Sequence, residues 1–228
     1  MKSASHHAMG YLLITALEQE GVQLDKEQFV LGNLLPDYLP ELILAPHFTM
    51  KCQREIGLFT GVLAAQRVAA KAELPPDYSL RLGILCHYIT DYFCFAHSRE
   101  FQQNLAHHSS YEQALDSYFR DHYTTEECLL PVAAGLHAAS AKEAAQEIFR
   151  VKRDYKNAER CFQTDVQYAF SVCLGAIRAL LALSAVAQKP VHRVLLFSPF
   201  TTKRYAFQSE VRRKNIVPRR AWCTSLTA

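Results

Sequence analysis

Apolar residues recur along most of this chain at intervals of three and four, the spacing that puts them on one face of a helix. Met9, Leu12, Leu13, Ala16 and Leu17 predict an amphipathic helix over about Ser5 to Gln19, stopped at Gly21. Ile56, Phe59, Leu63 and Ala70 predict a second, which runs to the turn at Pro75-Pro76. Leu82, Leu85, Ile89 and Phe93 predict a third that begins near Ser79. Further helices are predicted at Tyr111–Tyr123, at Ala134–Arg150 and over about Ala158–Ala187. Between the first two, LGNLLPDYLPELILAPH carries three prolines and a Gly-Asn pair, which predicts an irregular loop. No stretch gives a convincing strand, so the expected fold class is all-α.

Composition narrows the picture. A chain of 228 residues, half of them hydrophobic, can bury one good core, as one larger domain or two small ones. Its 11 % aromatic content excludes disorder over most of the length. A net charge of only +3 excludes a nucleic-acid-binding polycation. The longest apolar stretch, Val166 to Ala187, is interrupted by Gln167 and Arg178; it is expected to be a buried helix, and no transmembrane span is predicted. Seven cysteines without a CxxC pair suit a reducing compartment, and the first residues lack the apolar region of a signal peptide. The expectation is a soluble, cytoplasmic protein. From Ser198 onward the character changes: Lys203, Arg204, Arg212, Arg213, Lys214, Arg219 and Arg220 stand against the single acid Glu210.

The chemistry lies in the histidines, ten in all. His87 and Asp91 stand four apart, so a helix points both the same way and lets them share one metal ion. On a straight helix His97 would lie about 15 Å beyond His87. Either it serves a second metal, or the helix ends and the chain bends back. His108 and Glu112 repeat the four-residue spacing. Upstream, Asp37 and His47 lie in the proline-rich segment, and His6 and His7 in the first helix. A donor set of imidazole and carboxylate without thiolate suits zinc sites that keep an exchangeable water. Each feature has a plainer reading. A His–Asp pair at this spacing is often an ion pair, and Ser109-Ser-Tyr-Glu112 fits a capping box at a helix start. His107, His122, His137 and His192 read as surface or core histidines, Cys86 and Cys94 as small buried residues, and Tyr92, Phe93 and Phe95 as core.

The order of these residues resembles the zinc-dependent phospholipase C family, whose all-helical fold is shared with secreted single-strand nucleases. SHHAMGYLL resembles the family's opening helix, GNLLPDY its PD loop, HYITDYFCFAH its H-x-x-x-D-x-x-x-x-x-H core, and HSSYE its closing H-x-x-x-E. The motifs cover about Met1 to Tyr123. The resemblance implies a single multi-helix domain over residues 1–190; the basic extension 191–228 is not part of it and is expected to be in part disordered. It implies two to three zinc ions. One would take Asp37, His47, His87 and Asp91; a second His97, His108 and Glu112; a third His6, a shared Asp91 and the amino group of Met1. Asp37 would also be the catalytic base.

What the resemblance implies about activity is hydrolysis of a phosphodiester, with a phospholipid or small phosphodiester as substrate. Glu112 is similar to the lipase branch, where the nucleases favour Asp, so nucleic acid is not the expected substrate. Tyr38 matches a choline contact, whereas Leu44 replaces an aromatic and Phe48 stands beside His47 as a substitute. Met1-Lys-Ser-Ala-Ser lacks the acid that would complete a choline cage. The basic tail is either a disordered extension or a peripheral contact with anionic membranes. The alternatives are a non-hydrolytic, metal-stabilised binding protein and a single-strand nuclease.

Overall fold

The computed structural model describes residues 1–38, 49–68, 73–98, 105–122 and 136–186, all within the unit Met1–Gln188. Among these residues run helices α1 (Ser3–Gln19), α2 (Lys26–Tyr38), α3 (Thr49–Ala64) and α4 (Pro76–Tyr92). A 3-10 turn follows over Phe95–His97, and then α5 (Leu105–His122), α6 (Ala141–Asn157) and α7 (Phe162–Val186). The expected all-α class holds: the described residues contain no strand, and their one β-like feature is an isolated bridge between Leu24 and Leu74.

α4 is the centre of the molecule. Every residue from Tyr78 to Tyr92 except Arg81 is buried, because α2, α3 and α7 cover it on different sides. α7 is apolar around most of its circumference, and Phe162–Ser184 is long and apolar enough to cross a membrane by length and composition. In this structure it packs against α1, α3, α4, α5 and α6, burying Val166, Phe170, Leu174, Ile177 and Leu180. α6 shows the opposite pattern, with one buried stripe of Ala144, Ile148, Val151 and Tyr155.

The proline-rich segment is not a loop over its first part. LGNLLPDY continues α2, with Pro36 inside its last turns. Pro36 forfeits one intrahelical bond, but the helix buries Phe29, Leu35 and Pro36 and is capped by Asp25, whose Oδ1 accepts from the Gln28 N–H at 3.0 Å. Gly32 is no turn residue either. A Cβ there would sit 2.1 Å from the Leu80 carbonyl oxygen, and one on Gly83 would sit 2.1 Å from that of Phe29. Two glycines facing each other let α2 and α4 cross backbone to backbone.

Other boundaries move for identifiable reasons. α3 ends at Ala64, short of the predicted turn at Pro75-Pro76. α6 begins seven residues later than the predicted Ala134, at Ala141. There Ser140 accepts from the Glu143 N–H at 3.2 Å, and Glu143 accepts from the Ala139 N–H at 2.9 Å. Ser140 thus caps the helix, and Glu143 reaches back to Ala139, one residue further than in a capping box. The rival cap at Ser109 is overturned, because α5 has already begun at Leu105. His107 and His137 are exposed, and Cys86, Cys94, Tyr92 and Phe93 are core, as predicted. Residue 192 and the basic tail lie outside the described residues, as does the side chain of His122.

The crossing gives a first test. Gly32→Ala or Gly83→Ala forces a backbone shift and should destabilise the fold by about 1–3 kcal/mol or more. Gly57→Ala, on the exposed face of α3 with no atom within 4 Å of the added carbon, should instead stabilise by up to about 1 kcal/mol. Denaturant midpoints of the three variants decide it.

Candidate metal centre

α4 presents His87 and Asp91 one turn apart, with Asp91 only 1 % exposed. The helix stops directly after them. Phe93 and Cys94 donate back to the Ile89 and Asp91 carbonyls at 3.0 and 3.1 Å, and the 3-10 turn brings His97 round. Its Nε2 lies 3.2 Å from Asp91 Oδ1. The helix ends and the chain bends back, and His97 nonetheless belongs to a second group of ligands.

Three other segments converge on this point. From α5, Glu112 Oε1 lies 3.1 Å from His97 Nε2 and 3.3 Å from His108 Nε2. From α1, His6 Nε2 lies 3.1 Å from Asp91 Oδ1, and its ring stacks on His87 with centroids 3.9 Å apart. The buried Met1 amino group donates to Asp91 Oδ1 and lies 2.8 Å from His97 Nε2 and 3.1 Å from Glu112 Oε1. From α2, Asp37 Oδ1 stands 3.8 Å from His87 Nε2, while its Oδ2 accepts from the Ser3 hydroxyl at 2.7 Å.

The result is two groups of three ligands, His6–His87–Asp91 and His97–His108–Glu112, each with its ligand atoms within 4.8 Å of one another. Their chemistry fits zinc. His87 Nδ1 lies 2.8 Å from the Asn33 carbonyl and His108 Nδ1 2.8 Å from the Ala96 carbonyl. A carbonyl only accepts, so both Nδ1 atoms carry the proton and both Nε2 lone pairs point into the site. This is how metal-ligating imidazoles are ordinarily fixed. His6 Nδ1 is buried with no hydrogen-bond partner. A polar cluster buried this deeply is costly for an ion-pair network alone, and ligation compensates the same groups.

Charge coupling fixes the protonation states. Burial alone would push Asp91 up, but His97, the Met1 amine, His6 and His87 outweigh it and hold the carboxyl well below its usual range. Glu112 is lowered in the same way against its burial, by the Met1 amine, His108 and His97. Burial, then the proximity of His87, lowers His6 to about 4, and burial lowers His97. The bond to Glu112 raises His108. Burial would depress the Met1 amine, yet Asp91 and Glu112 raise it well above its ordinary value.

Of the residues singled out in the sequence, Met1, His6, Asp37, His87, Asp91, His97, His108 and Glu112 are brought together, and Tyr38 is exposed beside Asp37. His47 and Phe48 lie outside the described residues. His7 is exposed and meets Tyr11 edge-on, so His6 is the inward residue. Sequence reasoning missed Asn33, Ala96 and Ser3, which orient the ligands. Two act through main-chain carbonyls, which leave no trace in residue type.

A family model for zinc dependent phospholipase C matches residues 5–171 of the chain. No curated protein and no solved structure matches it.

The His6 shift sets a pH dependence. In the unfolded chain His6 takes a proton near pH 6.5, whereas in the fold it stays neutral down to about 4. Over that window the unfolded state binds more protons, so stability falls as the pH drops. In chelator-treated protein this should remove up to about 3 kcal/mol between pH 6.5 and 4, and His6→Gln should flatten the slope. Equal slopes in denaturant titrations would refute it.

Proposed function

Because the chain belongs to the zinc-dependent phospholipase C family, we propose that it hydrolyses a phosphodiester at the site around Asp91, with a phospholipid as substrate. The observation that carries this reading is the meeting of two three-ligand groups at one buried carboxylate. In this reading one zinc is held by Asp37, His87 and Asp91, with His47 as a further ligand. A second is held by His97, His108 and Glu112. A third is held by His6, Asp91 and the Met1 amine. Zinc so held supplies Lewis acidity: it makes water acidic enough to ionise near neutrality and screens the charge on a phosphoryl group.

The chain's own part is to position and to move protons. Ser3 occupies Asp37 Oδ2, which fixes the carboxylate and leaves Oδ1 directed towards His87. From there Asp37 takes the proton of the attacking water as general base. The water oxygen joins phosphorus and the bond to the alcohol breaks in line; the alkoxide of an alcohol such as diacylglycerol leaves and takes a proton from solvent, to which Asp37 returns its own. Tyr38, 61 % exposed, offers a ring face beside Asp37 to an incoming headgroup. With no acid in Met1–Ser5 to complete a cage for a quaternary amine, the reading does not commit the headgroup to choline. The free thiols of Cys52, Cys86, Cys94, Cys161 and Cys173 support a cytoplasmic setting. The basic tail supports peripheral contact with anionic lipid.

Zinc-loaded protein should release diacylglycerol from phospholipid vesicles faster than it degrades single-stranded DNA or RNA; the reverse order would assign it to nucleic acid. Asp91→Ala should abolish activity and remove more than one equivalent of zinc. Glu112→Ala should remove one, because in this reading Asp91 serves two ions and Glu112 one.

The raised Met1 amine is protonated at pH 7, so ligation must expel that proton. Calorimetry in buffers of different ionisation enthalpy should show about one more proton released on zinc binding than in a chain with an uncleaved N-terminal tag. Equal release and equal zinc content would remove the amine from the ligand set.

A further inference from the structure

Outside the ligand set lies a second buried carboxylate. Asp165, 1 % exposed in the first turn of α7, accepts three hydrogen bonds. Tyr155 at the end of α6 donates to Oδ1 at 2.5 Å, and Tyr111 of α5 and the Phe95 main-chain N–H each donate to Oδ2 at 3.0 Å. Nearby, the buried Lys152 ammonium lies 3.9 Å from the Tyr155 ring centroid and donates to the Tyr92 carbonyl, at the last residue of α4.

The sequence positions of these donors matter. Tyr111 precedes Glu112. Phe95 precedes Ala96, whose carbonyl takes the His108 Nδ1–H, and stands two residues before His97. A single oxygen, Asp165 Oδ2, therefore ties the short turn bearing His97 to the helix bearing His108 and Glu112. The His108–Ala96 and His97–Glu112 contacts join the same two segments, but each of them involves a ligand itself. Buried carboxylates that accept charge-assisted bonds hold their donors firmly. A 3-10 turn of three residues has little rigidity of its own.

We propose that Asp165 is the positioning residue of the His97–His108–Glu112 group: it sets the distance between the 3-10 turn and α5 so that the three ligands close on one metal ion. This rests on the reading that those three residues hold a metal. Groups that orient ligands from behind are ordinarily worth about 10- to 100-fold in metal affinity. The Asp91 group, which Asp165 does not touch, is spared.

The test is titration of the full chain with cobalt(II), followed by its visible spectrum, which reports ligand geometry. Asp165→Asn keeps the size of the side chain but exchanges one acceptor oxygen for a donor. Tyr111→Phe removes one hydroxyl next to Glu112 and leaves the buried acid and its other bonds. Both variants should bind one of their cobalt ions about 10- to 100-fold less tightly with an altered spectrum. In a chain already carrying Glu112→Ala, Tyr111→Phe should leave the remaining cobalt unchanged. Wild-type affinity and spectrum in Tyr111→Phe overturn the proposal, whether or not Asp165→Asn folds. An equal further loss in the Glu112→Ala background does so too, since it would mark a general loss of stability. A wild-type chain that binds no cobalt overturns the metal reading itself.

Discussion

One buried charge governs this structure. Asp91 sits on the most deeply enclosed helix, with almost no contact with water, where an uncompensated carboxylate costs several kcal/mol. The fold answers by bringing basic groups to it from separate parts of the chain. The Met1 amine and His6 come from the start of the sequence, His87 from the preceding turn of α4, and His97 from the reversal that follows. The break after Tyr92 is part of that answer, since a continuous helix would carry His97 away. The core is thus organised around an electrostatic requirement that hydrophobic burial alone would never create.

The imidazoles in turn are aimed by main-chain carbonyls. Asn33 reaches His87 because α2 lies unusually close to α4, and Ala96 reaches His108 because the 3-10 turn stands beside α5. Each carbonyl is positioned by something further out: the paired glycines in the first case, Asp165 with its tyrosines in the second. Orientation at the centre therefore depends on contacts one and two layers behind it, which are conventional packing and hydrogen bonds.

What could be read in the sequence was whatever depends on local spacing. His87–Asp91 and His108–Glu112 fall on one helix face by helical geometry alone, and the apolar stripe of α1 follows the same rule. What could not be read depends on distant partners. Gly32 and Pro36 carry the local marks of a loop, yet they lie in a helix because α4 packs against it. Two S-x-x-E tetrads looked alike, but only Ser140 stands where a helix begins; at Ser109 the helix is already under way and Glu112 faces histidines instead. Asp165 drew no reading at all, since nothing along the chain announces its three donors.

The backbone contact of Gly32 with Gly83 has one more consequence, for the way the molecule opens. With no side-chain layer between α2 and α4, neither helix can loosen by a rotamer change or a small slide. The amide protons of both helices at the crossing are already committed within their own turns, and solvent reaches them only when the pair separates. Such protons exchange by global rather than local unfolding. The amides of residues 29–33 and 80–84 thus form a slow-exchanging nucleus, and their rate reads out the stability of the whole described unit from its centre.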